Sequence, residues 1–390
     1  MKASRGSGKY VAKDQAALLR DSNQDSEYPD YLFKQLITYI GNKRSLLGHI
    51  DRAVARVKER LGKSRLRVFD AFAGSGVVSR FFKRHADLLV SNDLENFAAV
   101  AGRCFLRNQS SVNLEHLRDI VDELNSQVDR TGWEPGFIEE LYAPRDESDI
   151  TVNDRVFYTR DNARRLDNYR RLLDGVDPAY RDLLLGPLLS EASVHANTSG
   201  VFKGFYKDRA TGIGKFGGSK DDALSRIRGR IDLDVPILSR FECEVEVHQQ
   251  DANVLVKQLR DLDLAYFDPP YNQHPYGSNY FMLNLLVDYN KPRHLSTVSG
   301  IPTDWQRSDY NVRSRCLSRL SDLINAVPAS FVMVSFNDEG FIAPAEMQRL
   351  LAQMGKLEII EIPYNTFRGS RNLRGRSIHV TEQMFLVERR

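Results

Sequence analysis

Apolar residues recur along this chain in two rhythms. Short apolar-rich runs at 66–69, 88–90, 241–247, 264–267 and 331–336 end in polar residues, glycine or proline. Runs of that kind read as strands buried on both faces of a parallel sheet. Between them the spacing turns helical. Leu46, Leu47, Ile50, Val54, Val57 and Leu61 fall on one face, Asn42 stands where an N-cap belongs, and Gly62 holds the C′ position. Residues 97–190 are helical with polar breaks, one of them the loop Trp133-Glu134-Pro135-Gly136. An apolar helix is predicted over 279–286, an irregular insertion over 288–312, and a helix over 343–354 that closes at Gly355. Two strands follow, at 357–363 and 377–387. Strands alternating with helices predict an α/β fold on a mostly parallel sheet. The first 33 residues are polar and read as a disordered tail.

Composition narrows the class without naming a function. With 390 residues, 42% hydrophobic and 27% charged, the chain reads as an ordinary soluble globular protein. No apolar run reaches the roughly 18 residues of a membrane span, and no secretory signal opens the chain. Cys104, Cys243 and Cys316 lie far apart and fit neither a metal site nor a disulfide framework, so a reduced, cytoplasmic protein without a metal is expected.

Candidate chemistry begins at Asp268-Pro269-Pro270-Tyr271, directly after the run Leu264-Ala265-Tyr266-Phe267. Two prolines cannot continue a ladder, so Asp268 stands at the carboxyl end of a strand, where open α/β sheets bind ligands. The carboxylate can accept one N–H of a planar amine, and a proline carbonyl the other, since proline has no donor. Tyr271 offers a ring on which a base can stack. Upstream, Phe72-Ala73-Gly74-Ser75-Gly76 joins a strand to a helix, and Asp93 follows Gly74 by 19 positions, where a ribose-binding acid belongs. This pair fits a dinucleotide or S-adenosylmethionine, and Ser79 in place of a third glycine tilts it away from a pyrophosphate.

The net charge of +3 is small, but its distribution is uneven. Between residues 201 and 230 eight lysines and arginines face three aspartates, among aromatics and glycines. That composition suits a flexible segment that touches nucleic acid. Lys203, Lys207 and Lys215 read as phosphate contacts, and Arg226, Arg228 and Arg230 as candidates for base reading. Arg368 and Arg371, in the loop before the last strand, are further candidates.

Taken together, these segments resemble the Dam-like (α-group) adenine-N6 DNA methyltransferases, over residues 36–388. Tyr39-Ile40-Gly41-Asn42-Lys43-Arg44 resembles the motif that opens that fold, although Tyr39 stands where a Trp or Phe is common and Asn42 replaces a common Gly. The resemblance implies a mostly parallel seven-stranded sheet whose last two strands form a hairpin. It implies a SAM-binding catalytic domain over 34–134 and 241–390, with a target-recognition region at 135–240. Its implied cofactor residues are Tyr39, Lys43 (toward the methionine carboxylate), Asp70, Phe72, Ala73, Gly74, Gly76, Asp93 on the ribose, and Asp251 with Ala252 at the cofactor adenine. Asp268, Pro269, Pro270 and Tyr271 would be catalytic, acting on a flipped-out adenine in duplex DNA, and a companion restriction endonuclease is a possible partner. Asp rather than Ser at position 268 favours adenine over cytosine N4. Another planar amine, on RNA or protein, stays open, as does a DNA-binding relative without catalysis; a dinucleotide oxidoreductase has only the glycine turn in its favour.

Overall fold

Continuous burial marks the middle of the sheet. Strand β1 spans Leu66–Asp70, β2 Ala86–Asp93, β3 Glu244–Gln249, β4 Leu262–Phe267, β5 Ala329–Asn337, β6 Gly355–Asn365 and β7 His379–Arg389. All six residues of β4 are buried, as are eight of nine in β5. Edge strand β3 instead alternates exposed and half-buried positions. In this computed structural model the described residues are 18, 26–130, 132–218, 223–337, 340–365 and 379–390, without the side chains of 363–381.

The strand order is β3-β2-β1-β4-β5-β7-β6. Strands β1 to β5 run parallel, and β7 runs antiparallel to both β5 and β6. The mostly parallel seven-stranded sheet with a closing hairpin, expected from the sequence, is therefore the architecture observed. Chain connectivity reverses between β1 and β4, the switch point at which doubly wound sheets open a ligand crevice.

Helices cover both faces. On one, the helix Leu47–Leu61 buries Leu47, Ile50, Val54 and Val57 and, with the helix Val77–Phe82, packs over β1, β4 and β5. It ends where Gly62 turns left-handed at φ 64°. Asn42 caps a different element from the one predicted: its Oδ1 accepts from the Arg44 amide at 2.9 Å, one turn ahead of the helix. On the other face lie the helices Arg313–Ala326 and Pro344–Ala352. Strand β3 starts three residues later than the run at 241 suggested, because Asn108 Nδ2 takes the Cys243 carbonyl at 2.9 Å and holds it off the ladder.

Structure begins earlier than the tail expectation allowed. The helix Pro29–Phe33 buries Tyr31 and Leu32, and the Tyr31 hydroxyl donates to the Phe105 carbonyl at 2.9 Å. An apolar pair that finds a core outweighs the polar composition around it. Of the residues before 26, only Leu18 is described, and it is buried. A third core joins the helices Asn96–Phe105, Leu114–Val128, Phe137–Tyr142, Arg160–Leu173, Pro178–Val194 and Phe281–Asp288. No packing break falls at residue 135: Asn125 on the helix Leu114–Val128 bonds both backbone groups of Leu233 at 3.0 Å.

Candidate functional site

A cleft of about 940 Å³ opens at the carboxyl ends of β1 and β4. Its walls include Tyr39, Lys43, Phe72, Ala73, Gly74, Asp93, Asp251, Ala252, Asp268, Pro270 and Tyr271. Most sequence-identified residues thus meet in one place. Asp70, Gly76 and Pro269 stand behind this surface. Asp70 is fully buried and accepts from Ser79 Oγ at 2.6 Å, so Ser79 acts as a hydrogen-bond donor beneath the loop. Gly76, at φ 73°, starts the helix Val77–Phe82.

The glycine loop is shaped by close approach. Gly74 has φ +54°, and a Cβ there would lie 2.9 Å from the Tyr39 ring. No other residue type leaves that cradle open. Asp93 ties the loop down: Oδ2 accepts from the Gly74 amide at 2.7 Å and Oδ1 from the Glu95 amide at 2.9 Å. Each oxygen keeps a second lone pair for a hydroxyl. At one end of the cleft the Phe72 and Tyr310 rings meet edge-on at 5.1 Å, and Asp251 is held by Arg319 at 2.9 Å. That slot suits a flat, amine-bearing ring.

At the other end stands Asp268, its side chain 17% exposed. Oδ1 is buried and lies 3.2 Å from Lys43 Nζ. Burial pushes the Asp268 carboxyl up to about 7, against the pull of Lys43 and with the push of Glu382. Tyr271 packs its ring edge-on against Phe336, centroids 5.5 Å apart, and its carbonyl accepts from the Phe341 amide at 2.8 Å. Around Lys43, for which the resemblance implies a methionine carboxylate, the chain itself places two further groups. The ammonium is 2.5 Å from Glu382 Oε1 on β7 and faces the Tyr271 ring at 5.6 Å. Burial penalises that charge, but Asp268, Tyr271 and Glu382 outweigh it, and Lys43 is held well above its ordinary range. Tyr39 is stacked on Tyr276 and Tyr280, with centroids 5.0 and 4.8 Å apart.

Sequence reasoning missed Glu382, Glu95, Tyr276 and Tyr310. Glu95 is buried in the cleft wall, and burial pushes it up to about 7. No local pattern marks these residues, because tertiary packing alone brings them to the cleft.

The basic segment differs more from expectation. Residues 206–215 form an ordered hairpin, with Lys215 N bonded to Tyr206 O at 3.0 Å and Asp208 N to Ile213 O at 2.8 Å. Buried Asn197 clamps it, donating to the carbonyls of Val156 and Lys215 at 2.7 and 2.9 Å. Phe202 and Phe205 are core residues packed with Phe157. Arg226 is half-buried and donates to the carbonyls of Val194, Ala196 and Thr198, past the end of the helix Pro178–Val194. Arg230 pairs with Asp129 at 2.6 Å and Asp232 at 2.9 Å. Both guanidinium groups thus make contacts within the fold. Lys203 and Arg228 are exposed, and Lys207 lies over the Phe205 ring at 4.9 Å. Arg368 and Arg371 lie outside the described residues. Among the described residues no His, Cys, Asp and Glu cluster is arranged to hold a metal ion, and no helix is long and apolar enough to cross a membrane.

The model of the D12 class N6 adenine-specific DNA methyltransferases matches residues 39–301. The chain is 27% identical over 357 residues to the type II methyltransferase M.CviAII of Paramecium bursaria Chlorella virus 1, covering 90% of this chain and 98% of that protein. It is 25% identical over 365 residues to the type II methyltransferase M.NlaIII of Neisseria lactamica, covering 90% and 100%. The modification methylase StsI of Streptococcus sanguinis is 25% identical over 380 residues, which is 90% of this chain and 52% of that longer protein.

Proposed function

Because this chain belongs to the D12 class N6 adenine-specific DNA methyltransferases, we propose that its cleft carries the methyl group of S-adenosylmethionine (SAM) to an adenine flipped out of duplex DNA. An adenine within a duplex cannot enter such a cleft, and extruding it costs on the order of a few kcal/mol. Stacking on Tyr271 offsets about 1–3 kcal/mol of that. The open cradle at Gly74 and the acids beside it fit the cofactor. In this reading Asp93 holds the ribose, Asp251, Ala252 and Phe72 flank the cofactor adenine, and Tyr39, Asp70, Ala73 and Gly76 shape the turn.

When bound, SAM supplies an electrophilic methyl group on a positively charged sulfur. The chain itself prepares the nucleophile. The Asp268 carboxylate accepts one N–H of the amine and the Pro269 carbonyl accepts the other, so the nitrogen lone pair turns out of the ring plane toward its target. The Asp268 charge stabilises the positive charge that grows on nitrogen. As the new N–C bond forms the amine sheds a proton, which Asp268 is able to take. Lys203, Lys207 and Lys215 contact phosphates along the duplex, and the exposed Arg228 is a candidate for base reading. Relatives named type II methyltransferase and modification methylase support a protective role in the cytoplasm of a bacterial or phage-infected cell, beside a separately encoded restriction endonuclease.

The observation that carries this reading is the Asp268 carboxyl just past the end of the buried strand β4, in the same cleft as the glycine loop. Incubation with methyl-labelled SAM and duplex DNA, RNA or protein, followed by nucleoside analysis, tests it. Label should appear as N6-methyladenine from duplex DNA. N4-methylcytosine, or label entering RNA or protein instead, would contradict it.

A further inference from the structure

Lys43 stands between two carboxylates, and one of them holds it more closely. Glu382 Oε1 accepts from the ammonium at 2.5 Å, whereas Asp268 Oδ1 lies 3.2 Å from it. Glu382 is fixed in turn, because Ser335 Oγ on β5 donates to the same Oε1 at 3.0 Å. Strands β5 and β7 are paired at this level, with Ser335 opposite Met384 and Asn337 opposite Glu382. Glu382 and Lys43 are both buried, so neither charge is balanced by bulk water.

We propose that Glu382 is a positioning residue for methyl transfer: by drawing the Lys43 ammonium toward itself it leaves the Asp268 carboxylate a stronger acceptor for the substrate amine. Two carboxylates compete for one cation. Whichever binds it more closely is a weaker acceptor for anything else, because an ion-paired oxygen has given up much of its negative potential. In this chain the ammonium sits nearer Glu382, and Asp268 keeps more of its negative potential for a substrate N–H. This role rests on the reading of Asp268 as the amine acceptor.

The groups facing Asp268 are Lys43 from the opening segment, Glu382 from β7, Asp70 from β1, Tyr266 from β4 and Tyr276 from the helix Tyr276–Asn279. Burial holds both tyrosines well above their ordinary range, so they stay neutral near pH 7. Asp70 is pushed up to about 7 by burial, with Asp268 and Asp93 adding to the rise. Of these groups, Lys43 lowers the Asp268 pKa and Glu382 raises it.

Glu382→Gln keeps the size and an acceptor oxygen while removing the charge. In the Glu382→Gln enzyme Lys43 turns toward Asp268, and the single-turnover methylation rate at its plateau should fall about ten- to a hundredfold, the range spanned by a hydrogen bond to a charged group. The acid limb of the pH–rate profile should move to lower pH, since Asp268 then loses a repulsive neighbour. SAM affinity should stay as in the wild type. A normal rate, a lower rate with an unmoved limb, or a limb moved to higher pH would each overturn the role of Glu382. Because Glu382 acts through Lys43, adding Glu382→Gln to Lys43→Met should change the rate no further; a further loss in that pair overturns the proposal, even if Glu382→Gln alone fails to fold. Asp268→Asn separates the two claims. Full turnover in Asp268→Asn sinks the reading of the site itself, whereas an inactive Asp268→Asn beside an unaltered Glu382→Gln sinks only the positioning role.

Discussion

Asp268 closes a strand whose residues are all buried, and that burial sets its acidity. A carboxyl pushed up to about 7 is half protonated near neutrality, and only its ionised form brings a negative charge to the amine and can take its proton. The sign follows: kcat/KM, which reports the free enzyme, should rise with pH through about 7 and be lost as pH falls. A profile flat between about pH 6 and pH 8 would separate Asp268 from the chemistry. Asp268 and Tyr271 were legible in the sequence because two prolines end the strand and leave the flanking groups at its carboxyl end. Lys43 was legible as a cation beside the cleft, but its partner was not. Glu382 lies 339 residues away, in a strand whose sequence carries no chemical pattern, and only the β5–β7 pairing brings it in.

Strands buried on both faces announce themselves, so β1, β4 and β5 were readable as apolar runs, and Gly62 marked the end of its helix. The intramolecular contacts of the arginines in the basic segment were not legible, because a charge count does not register unpaired carbonyls. A helix leaves its last carbonyls without partners, and past the end of Pro178–Val194 the guanidinium of Arg226 serves the carbonyls of Val194, Ala196 and Thr198. Arg226→Ala should therefore act on folding: stripping a donor from buried carbonyls costs about 1–3 kcal/mol. Thermal unfolding should show the loss, while the methylated DNA sequence stays unchanged. An unaltered melting temperature with altered sequence preference would return Arg226 to base reading.

Across the whole molecule the helical core at residues 97–286 packs beside the sheet and carries the ordered hairpin with Lys207 and Lys215. Each lysine on a phosphate adds about 0.9 to the slope of log affinity against log salt. Replacing Lys203, Lys207 and Lys215 with alanine should weaken cognate and random DNA alike and flatten the slope by up to about three. An unchanged slope would mean that another surface tracks the backbone. The central claim, that Asp268 accepts the substrate amine, is tested most directly by rapid-quench single-turnover methylation of duplex DNA with Asp268→Asn, alongside its SAM affinity by calorimetry. Loss of a preorganised charge at the reacting amine should slow transfer at least about 100-fold with SAM binding nearly unchanged; transfer at close to the wild-type rate would contradict it.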